Sequence, residues 1–203
     1  PGVPKDRRKK VRSQDNALFL KNFFLDIDCG DKWPLKNQDE GKLELIKFIR
    51  ETGLPAPAVV NSGNGLYAHW IMDEPVPAAK WRTTAFLLKN IVAAYSPALG
   101  GDSSRTSDSA SVLRAPGTTN RKPGRPEKPV VVIRDAEPIT FLNFVQFLEA
   151  AAKKKKINCT AVQVPQPAKD LNADFYIPQV SHNDAGKIAD RCAQLGKMRS
   201  SGG

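Results

Sequence analysis

The stretch Phe23-Phe24-Leu25-Asp26-Ile27-Asp28-Cys29-Gly30 constrains this chain more than any other, because an apolar run stops there on two carboxylates one residue apart. The run is too apolar throughout for an edge strand with one wet face, so residues 18–28 are expected to form the first, buried strand. Side chains alternate faces along a strand. Asp26 and Asp28 therefore share one face, with α-carbons about 7 Å apart, and Ile27 takes the other. Two such carboxylates repel unless a proton or a cation lies between them. As hard oxygen ligands at a strand end they suit one or two Mg²⁺ or Mn²⁺ ions held against a phosphate substrate. On this stretch alone an Asp-rich turn, with Asp28 and Asp31 capping the loop around Gly30, is the simpler account of the pair, and it is the segments downstream that favour a cation site.

The charge balance narrows the partner. With 31 Lys and Arg against 21 Asp and Glu, the net charge of +10 favours a polyanion, nucleic acid ahead of a membrane surface. No apolar run approaches the roughly 20 residues of a membrane-spanning helix, and the N-terminus has no apolar signal core, so a cytoplasmic location is expected. Cys29, Cys159 and Cys192 lack metal-ligand spacing and are read as reduced thiols.

Taken in order, residues 1–16 are a basic arm carrying Lys5, Arg7, Arg8, Lys9, Lys10 and Arg12, with too little apolar surface to order itself. Residues 39–52 have helical spacing with Leu43, Ile46 and Ile49 on one stripe, flanked by Leu45 and Phe48, and Gly53 and Pro55 close the helix. Residues 58–61 and 66–72 read as strands around the hairpin turn Ser62-Gly63-Asn64-Gly65. Tyr67 and His69 share one face of the second strand, which Pro75 and Pro77 end. Residues 78–95 form a helix with Trp81, Ala85, Leu88 and Val92 inward. A polar loop with Asp102, Arg105 and Asp108 leads to a short strand at 110–115, a turn-rich segment, a strand at 129–133, and a helix at 140–152 with Phe141, Phe144, Val145 and Leu148 inward. Lys153 to Lys156 suit the negative end of that helix. Residues 153–181 are linker-like. Residues 182–203 recover helical spacing and are expected to begin a C-terminal region of a longer protein.

The Asp pair, the Gly-Asn-Gly turn, the Asp-bearing loop and Leu113-Arg114-Ala115-Pro116-Gly117-Thr118-Thr119-Asn120-Arg121-Lys122 together describe a cation site beside phosphate-binding groups. On these segments, over about residues 18–135, the chain resembles the archaeo-eukaryotic primase superfamily, in particular the primase-polymerase domains of phage and plasmid replication proteins. Leu25-Asp26-Ile27-Asp28 matches that family's first motif and Ser62-Gly63-Asn64-Gly65-Leu66 opens its second. Val112 to Lys122 matches the last part of the third. One departure stands out: where the family usually reads Gly-Leu-His-x-Tyr-Trp, this chain has Gly65-Leu66-Tyr67-Ala68-His69-Trp70.

The resemblance implies an α+β fold, with a mixed or antiparallel sheet of RRM-like type, helices packed against it, a catalytic domain over residues 17–152 and a C-terminal helical extension. It implies template-directed nucleotidyl transfer with two Mg²⁺ or Mn²⁺ ions on Asp26, Asp28 and Asp102, Asp108 being the alternative third ligand. Tyr67 would take the motif position with His69 beside it. Ser62, Asn64, Gly65, Arg114, Asn120 and Lys122 would bind the nucleoside triphosphate, and Arg121, Arg125 and Lys128 the single-stranded DNA template. The missing neighbour would be a helicase domain. A catalytically inactive single-strand-binding initiator module and a metal-dependent nuclease remain alternatives, the first suggested by the Tyr67/His69 exchange.

Overall fold

Tertiary structure comes from a computed structural model that describes residues 13–101, 103–124 and 126–157. The chain divides into two units, Pro1–Gln166 and Pro167–Gly203, and every described residue lies in the first. The expected linker beyond residue 157, the helix at 182–203 and most of the basic arm fall outside the described residues.

Strands β1 (Phe19–Ile27), β2 (Ala58–Asn61), β3 (Leu66–Pro77) and β6 (Val131–Arg134) form a four-stranded sheet in the order β1-β3-β2-β6, every pairing antiparallel. Strands β4 (Thr119–Asn120) and β5 (Lys128–Pro129) make a separate two-stranded ribbon. The helices are α1 (Gln38–Thr52), α2 (Ala78–Tyr95), the one-turn α3 (Ser103–Thr106) and α4 (Phe141–Lys154). The architecture is α+β with an antiparallel sheet.

Register decides what each face does. Phe23 lies opposite Trp70, Leu25 opposite Ala68 and Ile27 opposite Leu66, and all six join the main apolar core with Leu45 and Phe48 of α1, Trp81, Ala85 and Leu88 of α2 and Phe144 and Leu148 of α4. The Phe23 ring lies 5.5 Å from Trp81 and 4.8 Å from Phe144, centroid to centroid. On the other face Asp26 sits directly opposite Tyr67, which in turn faces Val60 of β2. There Val60, Tyr67 and Val130 form a small second cluster against Leu113, so the segment leading from α3 to β6 folds across this face.

Five expectations are corrected. Strand β1 is at the edge of the hydrogen-bonded sheet, although its residues 23–25 and 27 are buried. The reason is that residues 97–101 and 103–106 pack against it, with Gly101 so close that a Cβ there would sit 3.1 Å from the Asp26 carbonyl oxygen; an edge covered in this way needs no polar face. In α1 the inward residues are Gly41, Leu45, Phe48 and Thr52, whereas Leu43 and Ile46 are 68% and 55% exposed. Both stripes are apolar. Gly41 settles the phase, because only its missing side chain lets the helix approach Cys29 and Leu66, whose atoms lie 3.2 Å from where a Cβ would be. Residues 110–115 form turn and loop, not a strand, and the strand expected at 129–133 is divided at Val130 between β5 and β6. Strand β3 runs on through Pro75 to Pro77, with Val76 and Pro77 opposite Leu20 and Phe19 beyond a bulge; β2 pairs with β3 only over residues 66–69, so both prolines lie past the three-stranded part of the sheet, where a missing N–H is tolerated.

Helix ends follow their capping chemistry. The Asn37 side chain accepts from the Glu40 N–H at 2.9 Å, and Gly53, at φ +78°, closes α1. Lys154 at the end of α4 donates to the Glu51 and Thr52 carbonyls of α1, placing a cation at a helix C-terminus.

The corrected face of α1 is testable by urea unfolding. Leu45→Ala should cost about 2–4 kcal/mol through the cavity it opens, and Leu43→Ala should stay within about 0.5 kcal/mol.

Candidate active site

A cleft of about 420 Å³ opens at the end of β1 and gathers residues from five separated stretches of the chain. Asp26 and Asp28 come from β1 and the residue just past it. Ser62, Asn64, Gly65 and Tyr67 come from the β2–β3 turn and the start of β3, and Arg114, Asn120 and Lys122 from the loop and ribbon that follow α3. Nine of the residues expected from sequence thus line one cavity.

The turn is built by close approach. Ser62 N–H donates to the Gly65 carbonyl at 3.0 Å, and Gly65 N–H donates to Ser62 Oγ at 3.2 Å. A Cβ on Gly65 would overlap the Ile27 carbonyl oxygen, so only glycine lets the turn lie against the end of β1. Asn120, 3% exposed, donates its amide to the Ser62 carbonyl at 2.7 Å. That carbonyl only accepts, which fixes the orientation of the amide and leaves Asn120 Oδ1 buried without a hydrogen-bond partner. Asn120 therefore braces the turn, with one amide N–H committed to the backbone.

Tyr67 is 2% exposed, and its hydroxyl accepts a hydrogen bond from Arg114 Nη1 at 3.2 Å. The buried phenol thus aims an otherwise exposed guanidinium into the cleft. Three residues that sequence reasoning did not assign also line it: Trp33, Gly101 and Arg105. Arg105 Nη1 lies 3.3 Å from Asp26 Oδ2, whose side chain is only 12% exposed. A cation is already part of the acidic corner, and among the described residues the cleft is lined by three positive side chains, Arg105, Arg114 and Lys122, and two carboxylates. Such a set suits an anionic ligand with several charges.

The remaining expected residues lie elsewhere. Asp102 and Arg125 fall outside the described residues. Asp108 does not line the cleft: its Oδ1 accepts from Ala110 N–H at 2.9 Å and its Oδ2 from the Ser111 hydroxyl at 3.0 Å, so it caps a turn. Arg121 pairs with Glu127 at 3.0 Å on the surface, and Lys128 borders a neighbouring hollow shared with Asn64, Lys36 and Gly63. His69 is not among the cleft residues. Its Nδ1 meets the Asn22 amide nitrogen at 2.7 Å, and burial pushes its imidazole down to about 4. With the amide donating to Nδ1, the neutral ring carries its proton on Nε2. Burial, reinforced by Asp28 and Glu40, pushes the Cys29 thiol up to about 11, so it stays protonated and unreactive.

Asp26 and Asp28 supply hard oxygen donors of the kind that bind Mg²⁺ and Mn²⁺. Among the described residues no three His, Cys, Asp or Glu side chains stand close enough together to hold a metal ion. No helix of the described residues is long and apolar enough to cross a membrane.

No family model matches the chain, and no curated protein matches it. Among solved structures the chain is similar to the AEP domain of the cyanophage S-2L primase-polymerase (PrimPol), at a TM-score of 0.48 and 18% identity, over 68% of this chain and 64% of that one.

The buried imidazole gives a pH signature. Folded His69 stays neutral down to about pH 4, whereas the unfolded imidazole takes a proton near 6.5, so the unfolded state binds more protons between those values. Stability should fall as pH drops from 7 toward 4, with roughly 2 kcal/mol lost by pH 5. In urea melts at pH 7 and pH 5, His69→Gln should shrink that difference.

Proposed function

We propose that this chain is the nucleotidyltransferase domain of a primase-polymerase, adding nucleotides to a strand as directed by a single-stranded DNA template. The observation that carries the reading is the cleft itself, a single cavity lined by two carboxylates, by Arg114 and Lys122 and by residues of the Ser62–Gly65 turn. The domain is read as the RRM-like catalytic core of phage or plasmid replication proteins.

Asp26 and Asp28, with Asp102 as third ligand, would hold Mg²⁺ or Mn²⁺ in this reading. Two such ions, when bound, lower the pKa of an attacking 3′-hydroxyl and neutralise charge on the triphosphate. The chain's own residues do the rest. Arg114, aimed by the Tyr67 hydroxyl, and Lys122 bind phosphate oxygens and hold the α-phosphorus in line for displacement. Asn120 keeps the Ser62–Gly65 turn in place through the Ser62 carbonyl, and the turn bounds the space left for the nucleotide. Arg105 adds positive charge beside Asp26. Template binding rests on the net charge of +10 and on Arg121, Arg125 and Lys128, so it should weaken steeply with added salt through counterion release. A helicase domain is the proposed neighbour in a longer protein, and the cytoplasm the proposed location.

The test supplies a primed single-stranded template, nucleoside triphosphates and Mn²⁺. Strand extension is expected, and Asp26→Asn or Asp28→Asn should reduce it by at least about a hundredfold while leaving template retention intact. Shortening of the strand in place of extension assigns a nuclease, and retention with no chemistry assigns a binding module.

A further inference from the structure

We infer that Trp33 is the platform on which the base of the bound nucleotide stacks. The inference deepens the proposed function and rests on it. The chain has three tryptophans. Trp70 and Trp81 are 2% and 0% exposed, belong to the main core, and donate their indole N–H groups to the Pro55 and Asn22 carbonyls. Trp33 differs on every count. It is half-buried, joins neither apolar cluster, pairs with no aromatic ring among the described residues, and lines the cleft. A large flat apolar side chain that packs into no core has its ring face available to a ligand.

The loop that carries it is held by its own backbone. Gly30 N–H donates to the Leu35 carbonyl at 2.9 Å and Trp33 N–H to the Gly30 carbonyl at 2.8 Å. Lys36 Nζ reaches the Asp31 and Trp33 carbonyls at 3.3 and 3.0 Å. Leu35 is buried at 7% exposure, anchoring the loop beside the indole. The ring is thus presented by a latched segment, which reduces the ordering cost of stacking.

Tyr67, the other aromatic ring in the cleft, is unsuited to the task. It is 2% exposed in a cluster with Val60, Val130 and Leu113, and its hydroxyl is engaged by Arg114. Stacking is also the mode of base contact a template-directed enzyme tolerates, because every base has a π-face whereas hydrogen bonds to base edges would select among them. Arg114 and Lys122, the groups proposed to bind the triphosphate, line the same cavity of about 420 Å³, a size suited to one small ligand, so the occupant is the incoming nucleotide and not a run of template.

Intrinsic fluorescence reads this directly, since Trp33 is the tryptophan a ligand in the cleft can reach. With Mg²⁺ present, a nucleoside triphosphate should quench the wild-type emission, and inorganic tripolyphosphate should displace it and restore the signal. In calorimetry Trp33→Ala should bind the nucleoside triphosphate about tenfold or more weakly, yet bind tripolyphosphate within about twofold of wild type. Trp33→Phe should keep most of the affinity and lose the quenching. Equal nucleotide affinity in wild type and Trp33→Ala overturns the platform and leaves the proposed function standing. Quenching by single-stranded DNA alone, with no further change on adding nucleotide, assigns the ring to the template and overturns it too. If wild type binds neither tripolyphosphate nor nucleotide, the proposed function falls and the inference with it.

Discussion

The antiparallel register between β1 and β3 is the constraint on which the rest of the structure depends. It puts Asp26 opposite Tyr67 on one face and Phe23, Leu25 and Ile27 on the other, and it is pinned where Gly65 lies against the Ile27 carbonyl with no room for a side chain. A slip of one residue would turn both carboxylates toward α1, α2 and α4 and bring Ile27 to the cleft. Distant segments attach to the first residues of β3 and the turn before it. Arg114 is held through the Tyr67 hydroxyl and Asn120 through the Ser62 carbonyl, so the turn positions groups more than 40 residues away in sequence.

Charge in the cleft follows from this framework. Two carboxylates side by side are costly unless neutralised, and the Arg105 guanidinium already lies beside Asp26. Arg114 and Lys122 stand exposed within the same cavity. The unpartnered Asn120 Oδ1 is a local cost of roughly 1–3 kcal/mol, incurred where the amide is needed to hold the Ser62 carbonyl.

Much of this was legible in the residues because it rests on local rules. The apolar run ending at Asp28, the Asn-Gly turn and the stripes of α2 and α4 follow from side-chain alternation, turn chemistry and helical periodicity, whereas the grouping of the Arg114 to Lys122 segment with the Asp pair was implied by the family resemblance. What was not legible depended on neighbours remote in sequence. The apolar stripe of α1 has two phases, and only the contact of Gly41 with Cys29 and Leu66 chooses between them. The edge position of β1 was masked because residues 97–101 and 103–106 pack against it without forming a strand of the sheet. Trp33 and Arg105 carried no motif, yet each follows an acidic residue of interest by a few positions, Asp28 in one case and Asp102 in the other. An aromatic or a guanidinium in such a loop was the available signal. The exchange of Tyr67 and His69 against the resembled pattern has a geometric counterpart: the residue two positions nearer the turn lines the cleft, and the one farther along bonds to Asn22.

The central claim is that Asp26 and Asp28 share divalent ions beside a triphosphate held by Arg114 and Lys122. The most direct measurement is a crystal structure with Mn²⁺ and a non-hydrolysable nucleoside triphosphate, with anomalous data collected at the manganese edge. The account predicts an anomalous peak bridging the carboxylates of Asp26 and Asp28, with phosphate oxygens on Arg114 and Lys122. Manganese bound away from both carboxylates, or a nucleotide seated outside this cleft, would contradict it.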